Sequence, residues 1–277
     1  MGVLANPGNW PLGAPFVVCV VLALLYARGD RTAGPSPGRD RRLRAAAFYG
    51  GLASIVLALD TPIDSYADRL FWVHMSQHVL LLTVAPPLLV LGRAWPRLWR
   101  PLPRRAQRGG ARFFSAAAPL ARPPAALALL TLTLAVWHVP ALYNETLRND
   151  FVHQCEHLCF VVAGIVFWAA ILGAPPLRTR PGELGRCVYL VLAMIPGWIL
   201  ALVLAYAPEP LYAYGALGHR PLGLSALADQ QLAAGVMWVP GSLVYAAAAA
   251  WSLYAWLGSE ADRRQAWVAG RHVNARG

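Results

Sequence analysis

Seven stretches of mainly apolar residues constrain the fold of this chain more than any other feature. A helix needs about 20 consecutive apolar residues to cross the hydrocarbon core of a bilayer. We therefore predict an all-α fold, a polytopic membrane protein built as one domain, residues 1–277, from a bundle of about seven transmembrane helices. The predicted spans are residues 12–27, 43–60, 70–92, 123–142, 151–172, 186–207 and 230–257.

The composition of the chain agrees with a membrane protein and disfavours a soluble one. Apolar residues make up 57% of the chain and charged residues 13%, against roughly 45–50% and about 25% in soluble domains. All 24 basic residues are Arg, and the formal net charge is +11. Such a charge can indicate nucleic-acid binding, but no nucleic-acid-binding motif accompanies it, so we expect no nucleic-acid partner.

The arginines are distributed unevenly between the two sides of the predicted bundle. Twenty-one of the 24 fall in the loops and tail of one side, whereas Arg69, Arg148 and Arg220 fall on the other. Cytoplasmic loops are enriched in Lys and Arg, so we predict an external N-terminus and a cytoplasmic C-terminus. The basic stretch 93–122 is then a cytoplasmic loop, expected to lie on the lipid bilayer as an amphipathic segment, and residues 258–277 form a cytoplasmic tail.

Five of the seven histidines fall near the external ends of three consecutive predicted spans. His74 and His78 belong to the third span, His138 to the fourth, and His153 and His157 to the fifth. Residues i and i+4 share one face of a helix, so each pair at this spacing can place two imidazoles on one metal ion. We predict a metal site formed by these histidines; for a single one, the alternative is an interhelical hydrogen bond.

Three further residues belong to the predicted metal site. Glu156 shares a helix face with the histidines of the fifth span and is the one acidic residue that we place inside a span. An ionisable side chain at that depth is costly and usually functional, so we expect Glu156 to bind the ion or to orient a histidine. Gln77 and Met75 are expected to flank the ligands of the third span.

Two other groups of residues bear on metal binding. Cys155 and Cys159 lie about 200° around the helix from His153, so we predict that they pack in the core and do not share an ion with the histidines. Acidic residues outside the spans are expected to make the external mouth acidic and to favour the capture of a cation. They are Asp60, Asp64, Asp68, Glu145, Asp150, Glu209 and Asp229.

The third predicted span carries a string of residues that resembles a known family. It reads His74-Met75-Ser76-Gln77-His78-Val79-Leu80-Leu81-Leu82, then Ala85-Pro86-Pro87-Leu88-Leu89-Val90-Leu91-Gly92. This string is similar to the signature of the CtaG family of cytochrome c oxidase assembly factors, named for the caa-type oxidases. Weaker similarities extend the resemblance to roughly residues 45–257. They are Trp137-His138-Val139-Pro140 with Tyr143, His153 to His157 with Phe167-Trp168, and Asp229 with Met237-Trp238-Val239-Pro240.

The resemblance implies a role in maturing a haem-copper cytochrome c oxidase in the bacterial plasma membrane. It also implies that the protein is not an enzyme and that its partners are oxidase subunits. Imidazole ligands, with Met and Cys nearby, suit copper better than magnesium or calcium. We therefore expect the protein to bind copper at the histidine cluster and to aid its delivery to the oxidase.

Three other functions fit parts of the same pattern. Two histidines on facing spans can ligate haem b, which a Soret band would reveal. The string His153-x-x-Glu156-His157 matches the inverted zincin motif of a zinc hydrolase with Glu156 as general base, although it leaves the pair on the third span unexplained. A transport role without a cofactor would place Glu156 in a proton or ion path.

Overall fold

The computed structural model describes residues 13–31, 38–174, 181–216 and 223–274, and within these ranges it contains helices and no strand. The α-helices are α1 (Ala14–Arg31), α2 (Gly38–Leu59), α3 (Pro62–Ala67), α4 (Phe71–Val79), α5 (Ala85–Leu91), α6 (Ala94–Trp99), α7 (Arg104–Ala117), α8 (Pro123–Trp137), α9 (Pro140–Thr146), α10 (Asp150–Leu172), α11 (Glu183–Tyr206) and α12 (Ala226–Asn274). A π-helical turn, Leu80–Val84, joins α4 to α5, and 3-10 turns form at Ala118–Ala121 and Ala213–Ala216. The predicted all-α fold is confirmed for this part of the chain.

Within the described residues, five helical segments are long and apolar enough to cross a membrane. They are α2, the stretch Phe71–Leu91 made of α4, the π-turn and α5, then α10, α11 and Ala226–Arg263 of α12. A sixth crossing results if Arg104–Ala121 and Pro123–Trp137, which meet at 86°, form one broken span. α1, the counterpart of the predicted span 12–27, ends in Arg28, Asp30 and Arg31 and is not among these segments. A multi-span membrane protein is thus supported, while the number seven and the orientation stay predictions.

The fourth predicted span, 123–142, is not one continuous helix. α8 ends at Trp137, and α9 begins at Pro140. Proline has no N–H to donate and clashes with the preceding turn, so a helix cannot continue through it undisturbed. The 15 residues of α8 extend about 22 Å, which is shorter than the hydrocarbon core. His138 occupies the break as the C-cap of α8.

A close contact between α10 and the π-turn sets the distance between the two helices that carry the paired histidines. A Cβ atom on Gly164 of α10 would lie 2.6 Å from Pro86 Cγ and 2.9 Å from the carbonyl oxygen of Leu82. Both distances are shorter than any normal carbon contact, so only glycine fits. The π-turn begins two residues after His78, and π-bulges inside helices occur frequently at functional sites.

Asp229 of α12 anchors the N-terminus of α4. Its carboxylate accepts hydrogen bonds from the backbone N–H groups of Phe71 and Trp72, at 2.9 and 3.0 Å. The first N–H groups of a helix have no partner within the helix, and Leu70, the N-cap residue, makes no side-chain cap. The capping group therefore comes from a residue 158 positions away in sequence.

The prediction of an acidic external mouth fails for three of its seven carboxylates, because Asp60, Asp64 and Asp229 make structural contacts. Asp60 is buried and accepts from the backbone N–H of Gly13 at 2.8 Å, and Asp229 caps α4. Asp64 accepts from Gln77 Nε2 at 2.8 Å, and burial raises the pKa of its carboxyl to about 6 despite that hydrogen bond. Exposed carboxylates remain at Asp68, Asp150 and Glu209.

At the opposite end of the bundle, a partly buried ion pair joins α1 to α6. Arg97 is 7% exposed and donates from Nε to Asp30 at 2.7 Å, and Arg41 of α2 donates to the same carboxylate at 2.7 Å. Burial works to raise the pKa of Asp30, but hydrogen bonds and charges from the two arginines outweigh it and lower that pKa. Arg97 is therefore a structural residue as well as one of the arginines that predict topology.

The predicted amphipathic segment, residues 93–122, contains α6 and α7. The rings of Trp95 and Trp99 stack with their centroids 4.5 Å apart, and the ring centroid of Phe114 of α7 lies 3.9 Å from that of Trp95. No residue of α7 is buried. Four arginines of α7 fall within an arc of about 100°, opposite Phe113; they are Arg104, Arg105, Arg108 and Arg112. Its placement on the membrane surface stays a prediction.

Candidate metal centre

Four side chains from two helices bring their possible ligand atoms together inside the bundle. They are His74 and His78 from α4 and Glu156 and His157 from α10. All four are buried, and one ligand atom from each lies within 4.8 Å of the others. We call these four residues the histidine centre. The i, i+4 spacing explains why each helix contributes two imidazoles, and the contact at Gly164 explains why the two helices are close enough.

The carboxylate of Glu156 spans the two histidines of α4. Its Oε2 lies 3.5 Å from His74 Nε2, and its Oε1 lies 3.6 Å from His78 Nε2. Normal hydrogen bonds of this type are about 2.7–3.2 Å long, so both contacts are too long to satisfy the groups. Two ligands of a tetrahedral ion, each about 2.0–2.1 Å from it, lie about 3.3–3.4 Å apart. The separations therefore match ligands around an ion better than hydrogen-bonded partners.

Nine buried polar atoms of this region lack hydrogen-bond partners in the described part of the chain. They are both oxygens of Glu156, both ring nitrogens of His78 and His157, and Nε2 of His74, His138 and His153. Most buried polar atoms in proteins are hydrogen-bonded, and leaving one unpaired costs about 1–3 kcal/mol. So many unpaired nitrogen and oxygen atoms at one place require an additional partner, such as a metal ion or water.

His138 and His153 flank the histidine centre and complete the set of five histidines predicted from the sequence. The ring of His153 lies 4.8 Å from that of His74, and the ring of His138 lies 5.9 Å from that of His78. Neither flanking residue is within the tight group of four. His138 Nδ1 lies 2.8 Å from the carbonyl oxygen of Leu134. Because a carbonyl can only accept, Nδ1 carries the proton and Nε2 presents its lone pair.

Two tyrosine hydroxyls fix the orientation of His74. Tyr214 Oη lies 2.8 Å and Tyr143 Oη 3.0 Å from Nδ1 of that histidine, and the two hydroxyls are 3.2 Å apart. Tyr214 also donates to the carbonyl oxygen of Ala67 at 3.2 Å. Its oxygen is then free to accept a proton from Nδ1 of His74, which leaves Nε2 with the lone pair toward Glu156. A histidine that binds a metal almost always donates its other ring N–H in this way.

Two groups of apolar side chains enclose the histidine centre. On one side Phe160 of α10 lies against His78, with ring centroids 4.5 Å apart. On the other side Tyr143 packs against Phe71 and Tyr212, with ring centroids 5.5 and 4.0 Å apart. These neighbours keep bulk water away, and an enclosed, apolar surrounding strengthens the electrostatic interactions of the groups inside it.

The remaining residues of the predicted site lie around the histidine centre. Gln77 donates from Nε2 to the carbonyl oxygen of Ala58 at 2.7 Å as well as to Asp64, so its amide supports α2 and α3 and orients no histidine. Met75 is fully buried and packs in the aromatic cluster of Phe71.

The two cysteines of α10 lie away from the histidine centre, as their angle on the helix predicts. Cys155 is half-buried, and Cys159 is exposed on the surface of the bundle. Neither belongs to the group of possible ligands. The prediction that this pair packs in the core is wrong for Cys159, because its helix face has no neighbouring helix in the described part of the chain to cover it.

Tyr214 is the contributor to this site that sequence reasoning missed. It lies in the 3-10 turn after α11, outside every predicted span, and no spacing rule connects it to a histidine 140 positions away. Tyr143 entered the sequence analysis only through the family resemblance. The position of both tyrosines beside His74 depends on how α9 and this turn pack over α4, so only the folded structure reveals it.

Comparisons with known proteins agree with the resemblance seen in the third span. The sequence profile of the cytochrome c oxidase caa3 assembly factors (Caa3_CtaG) matches residues 22–259. The chain is 27% identical to an uncharacterized protein of Mycobacterium bovis over 79% of its own length and 35% of that protein. It is 26% identical to an uncharacterized protein of Mycobacterium leprae over 55% of its own length and 24% of that one.

The chain thus spans about a third of the length of the first of these curated relatives. No solved structure matches it. The family profile, by contrast, covers most of the chain, including every residue of the histidine centre and both flanking histidines. This chain belongs to the family of cytochrome c oxidase caa3 assembly factors.

Proposed function

We propose that this protein binds copper at the histidine centre and delivers it to a cytochrome c oxidase during assembly of that enzyme. The observation that carries the proposal is the group of three imidazoles and one carboxylate, buried and unpaired, at ligand-like separations. Imidazole is a good ligand for copper and for zinc. Membership of an oxidase assembly family makes copper the more relevant of the two metals.

The charge of the histidine centre favours the monovalent ion. Neutral histidines and one carboxylate carry a net charge of −1, so Cu(I) gives a neutral site, whereas Cu(II) or Zn(II) leaves a charge of +1 among buried apolar side chains. Burying an unbalanced charge is expensive. Glu156 thus acts as the counter-charge of the ion, and the histidines supply the directional ligands.

A copper ion can be delivered only on the side of the membrane where the oxidase subunit accepts it. We retain the proposed topology of about seven spans, with the N-terminus outside and the histidines near the external surface. Under this topology the ion lies close to the external end of the bundle, and α7 lies on the cytoplasmic surface with its arginines toward lipid headgroups. The oxidase subunit that receives copper would then dock at the external end.

Oxidase activity in cells that depend on this protein tests the proposal. Cells carrying His78→Ala/His157→Ala should lose most oxidase activity, and added copper salt should partly restore it, because excess copper bypasses a delivery factor. The control is Cys155→Ala/Cys159→Ala, on the same helix but outside the centre, which should keep wild-type activity. Full oxidase activity with the double histidine variant present in the membrane would contradict the proposal.

A further inference from the structure

A cleft opens directly beside the histidine centre, between α4, the π-turn, α8, α11 and α12. Its volume is about 60 Å³. Two histidines reach its wall, His78 of the centre and the flanking His138. Most of the remaining wall is aliphatic, formed by residues such as Leu82, Leu130 and Leu134. The cleft and the histidine centre therefore share one residue, His78, and the flanking His138 lies in the wall beside it.

Three of the four methionines in the chain line this one cleft. They are Met75 from α4, Met194 from α11 and Met237 from α12. These residues come from three helices and are separated by more than 40 positions each, so no local repeat explains why they meet. Methionine often fills gaps in a core, but a thioether is also a soft ligand that selects Cu(I).

Residues that line this cleft also carry polar atoms without a hydrogen-bond partner. Tyr245 is 4% exposed, lines the cleft, and has a hydroxyl with no hydrogen-bond partner in the described part of the chain. The same holds for both ring nitrogens of His78 and for Nε2 of His138. By contrast, the hydroxyls of Thr83 and Ser242 are satisfied by backbone carbonyl oxygens one turn earlier, at 2.7 and 2.6 Å.

The size of the cleft decides between an ion and an organic ligand. One water molecule needs roughly 10–15 Å³ on this measure of volume, so the cleft holds an ion or a few waters. Pockets for organic ligands or cofactors are typically about 300–1,000 Å³. Among the described residues no carboxylate lines the cleft. Calcium and magnesium take oxygen ligands, carboxylates among them, so this lining favours a soft cation.

We propose that this cleft is a second copper(I) site, in which the thioethers of Met75, Met194 and Met237 receive the ion from His78 and His138, or pass it to them. This inference rests on the proposed copper function and extends it to the path that the ion takes. The ion stays Cu(I) throughout, because each step only exchanges a nitrogen ligand for a sulfur ligand and transfers no electron. The cleft thus connects the histidine centre to the region between α8, α11 and α12.

X-ray absorption on selenomethionine-labelled protein loaded with Cu(I) tests the cleft directly. We expect a direct selenium–copper bond at the selenium edge and nitrogen neighbours at the copper edge. The control is Met75→Leu/Met194→Leu/Met237→Leu, which conserves volume and leaves selenium only at Met1, outside the described residues. This triple variant should lose the selenium–copper signal, keep copper at the histidines, and release Cu(I) to a soluble chelator several times more slowly.

A second variant distinguishes a wrong proposal for the cleft from a wrong proposal for the histidine centre. His153→Ala/His157→Ala leaves every residue of the cleft unchanged. Copper bound to nitrogen alone in the wild type, with no selenium signal, would overturn the cleft and leave the proposed function standing. Copper on selenium in the wild type and in this variant alike, without nitrogen neighbours, would support the cleft and overturn the histidine centre. No bound Cu(I) in any protein would overturn both.

Discussion

Glu156 Oε2 lies 3.5 Å from His74 Nε2, at the centre of the buried polar group that joins α4 to α10. Both side chains are essentially inaccessible to solvent. The distance is too long for a good hydrogen bond and suits two ligands of one ion. This relationship combines the three features on which the account depends: a counter-charge, a set of directed imidazole nitrogens, and burial.

Removal of the charge at Glu156 should weaken copper binding. Glu156→Gln keeps the size of the side chain but leaves the bound ion without its counter-charge, so we expect the affinity for Cu(I) to fall by about 10–100-fold. Competition with a chromophoric Cu(I) chelator measures this affinity. Glu209→Gln, at an exposed position, is the control and should bind as the wild type does. Equal affinities of Glu156→Gln and the wild type would show that the carboxylate does not face the ion.

The two tyrosines beside His74 should affect copper binding through the orientation of that ring. In Tyr143→Phe/Tyr214→Phe, Nδ1 loses both hydroxyl partners, and we expect Cu(I) affinity to fall roughly tenfold. Tyr212→Phe is the matched comparison, because its hydroxyl is buried in the same aromatic cluster but donates to the backbone oxygen of His138 at 2.9 Å.

The two tyrosine variants are compared by thermal unfolding in detergent as well as by metal titration. Similar losses of stability with a large difference in Cu(I) affinity are the expected result. If Tyr212→Phe weakens copper binding as much as Tyr143→Phe/Tyr214→Phe, the tyrosines act through general packing and not through Nδ1 of His74.

A methyl group at Gly164 should separate the two helices of the histidine centre. In Gly164→Ala the new Cβ meets Pro86 and the Leu82 carbonyl oxygen at 2.6 and 2.9 Å, so α10 must shift, at a cost of about 1–3 kcal/mol in the free energy of unfolding. We expect a lower midpoint of thermal unfolding together with weaker copper binding. Gly235→Ala in α12 is the control, since its Cβ meets nothing within 4 Å. A stable Gly164→Ala protein would mean that this contact does not set the helix distance.

The stability of the protein should depend on pH through Asp64. Burial raises the pKa of this carboxyl to about 6 in the folded protein, above the value of about 3.9 in an unfolded chain. The folded state therefore binds the proton more tightly, and stability contributed by this group increases as pH falls from about 6 toward 4. Asp64→Asn cannot titrate.

The difference in thermal midpoint between wild type and Asp64→Asn should therefore change between pH 7 and pH 5 in favour of the wild type. The comparison is made with metal-free protein in the same detergent at both pH values, so that contributions from the histidines appear equally in both proteins. A difference that stays constant over this range would show that Asp64 is ionised throughout.

The sequence contained enough information for the helical class and for the proximity of the histidines. Hydrophobic runs of spanning length predict helices, and the i, i+4 spacing puts His74 and His78, or His153 and His157, on one face whatever the rest of the fold does. The sequence could not supply what depends on packing between helices. The break at His138, the cap of α4 by Asp229, and the hydroxyl of Tyr214 on His74 each join residues that are distant along the chain or depend on where a helix stops.

The acidic residues illustrate the same limit. Charge counting places Asp60, Asp64 and Asp229 in external loops, where carboxylates are normally solvated. The structure uses them instead to satisfy backbone N–H groups and the Gln77 amide. Composition predicts on which side a charge lies, whereas its hydrogen-bond partner decides whether it is free to attract a cation.

Metal analysis of the purified protein tests the central claim most directly. Wild type, His74→Ala/His78→Ala and Cys155→Ala/Cys159→Ala are purified in detergent, incubated with Cu(I), desalted, and measured for copper, zinc and iron together with an absorption spectrum. We expect about one copper per chain, or more if the cleft is also filled, in the wild type and the cysteine variant, and loss of the histidine-bound copper in the histidine variant. Equal copper in all three proteins, or iron with a Soret band or stoichiometric zinc in place of copper, would contradict this claim.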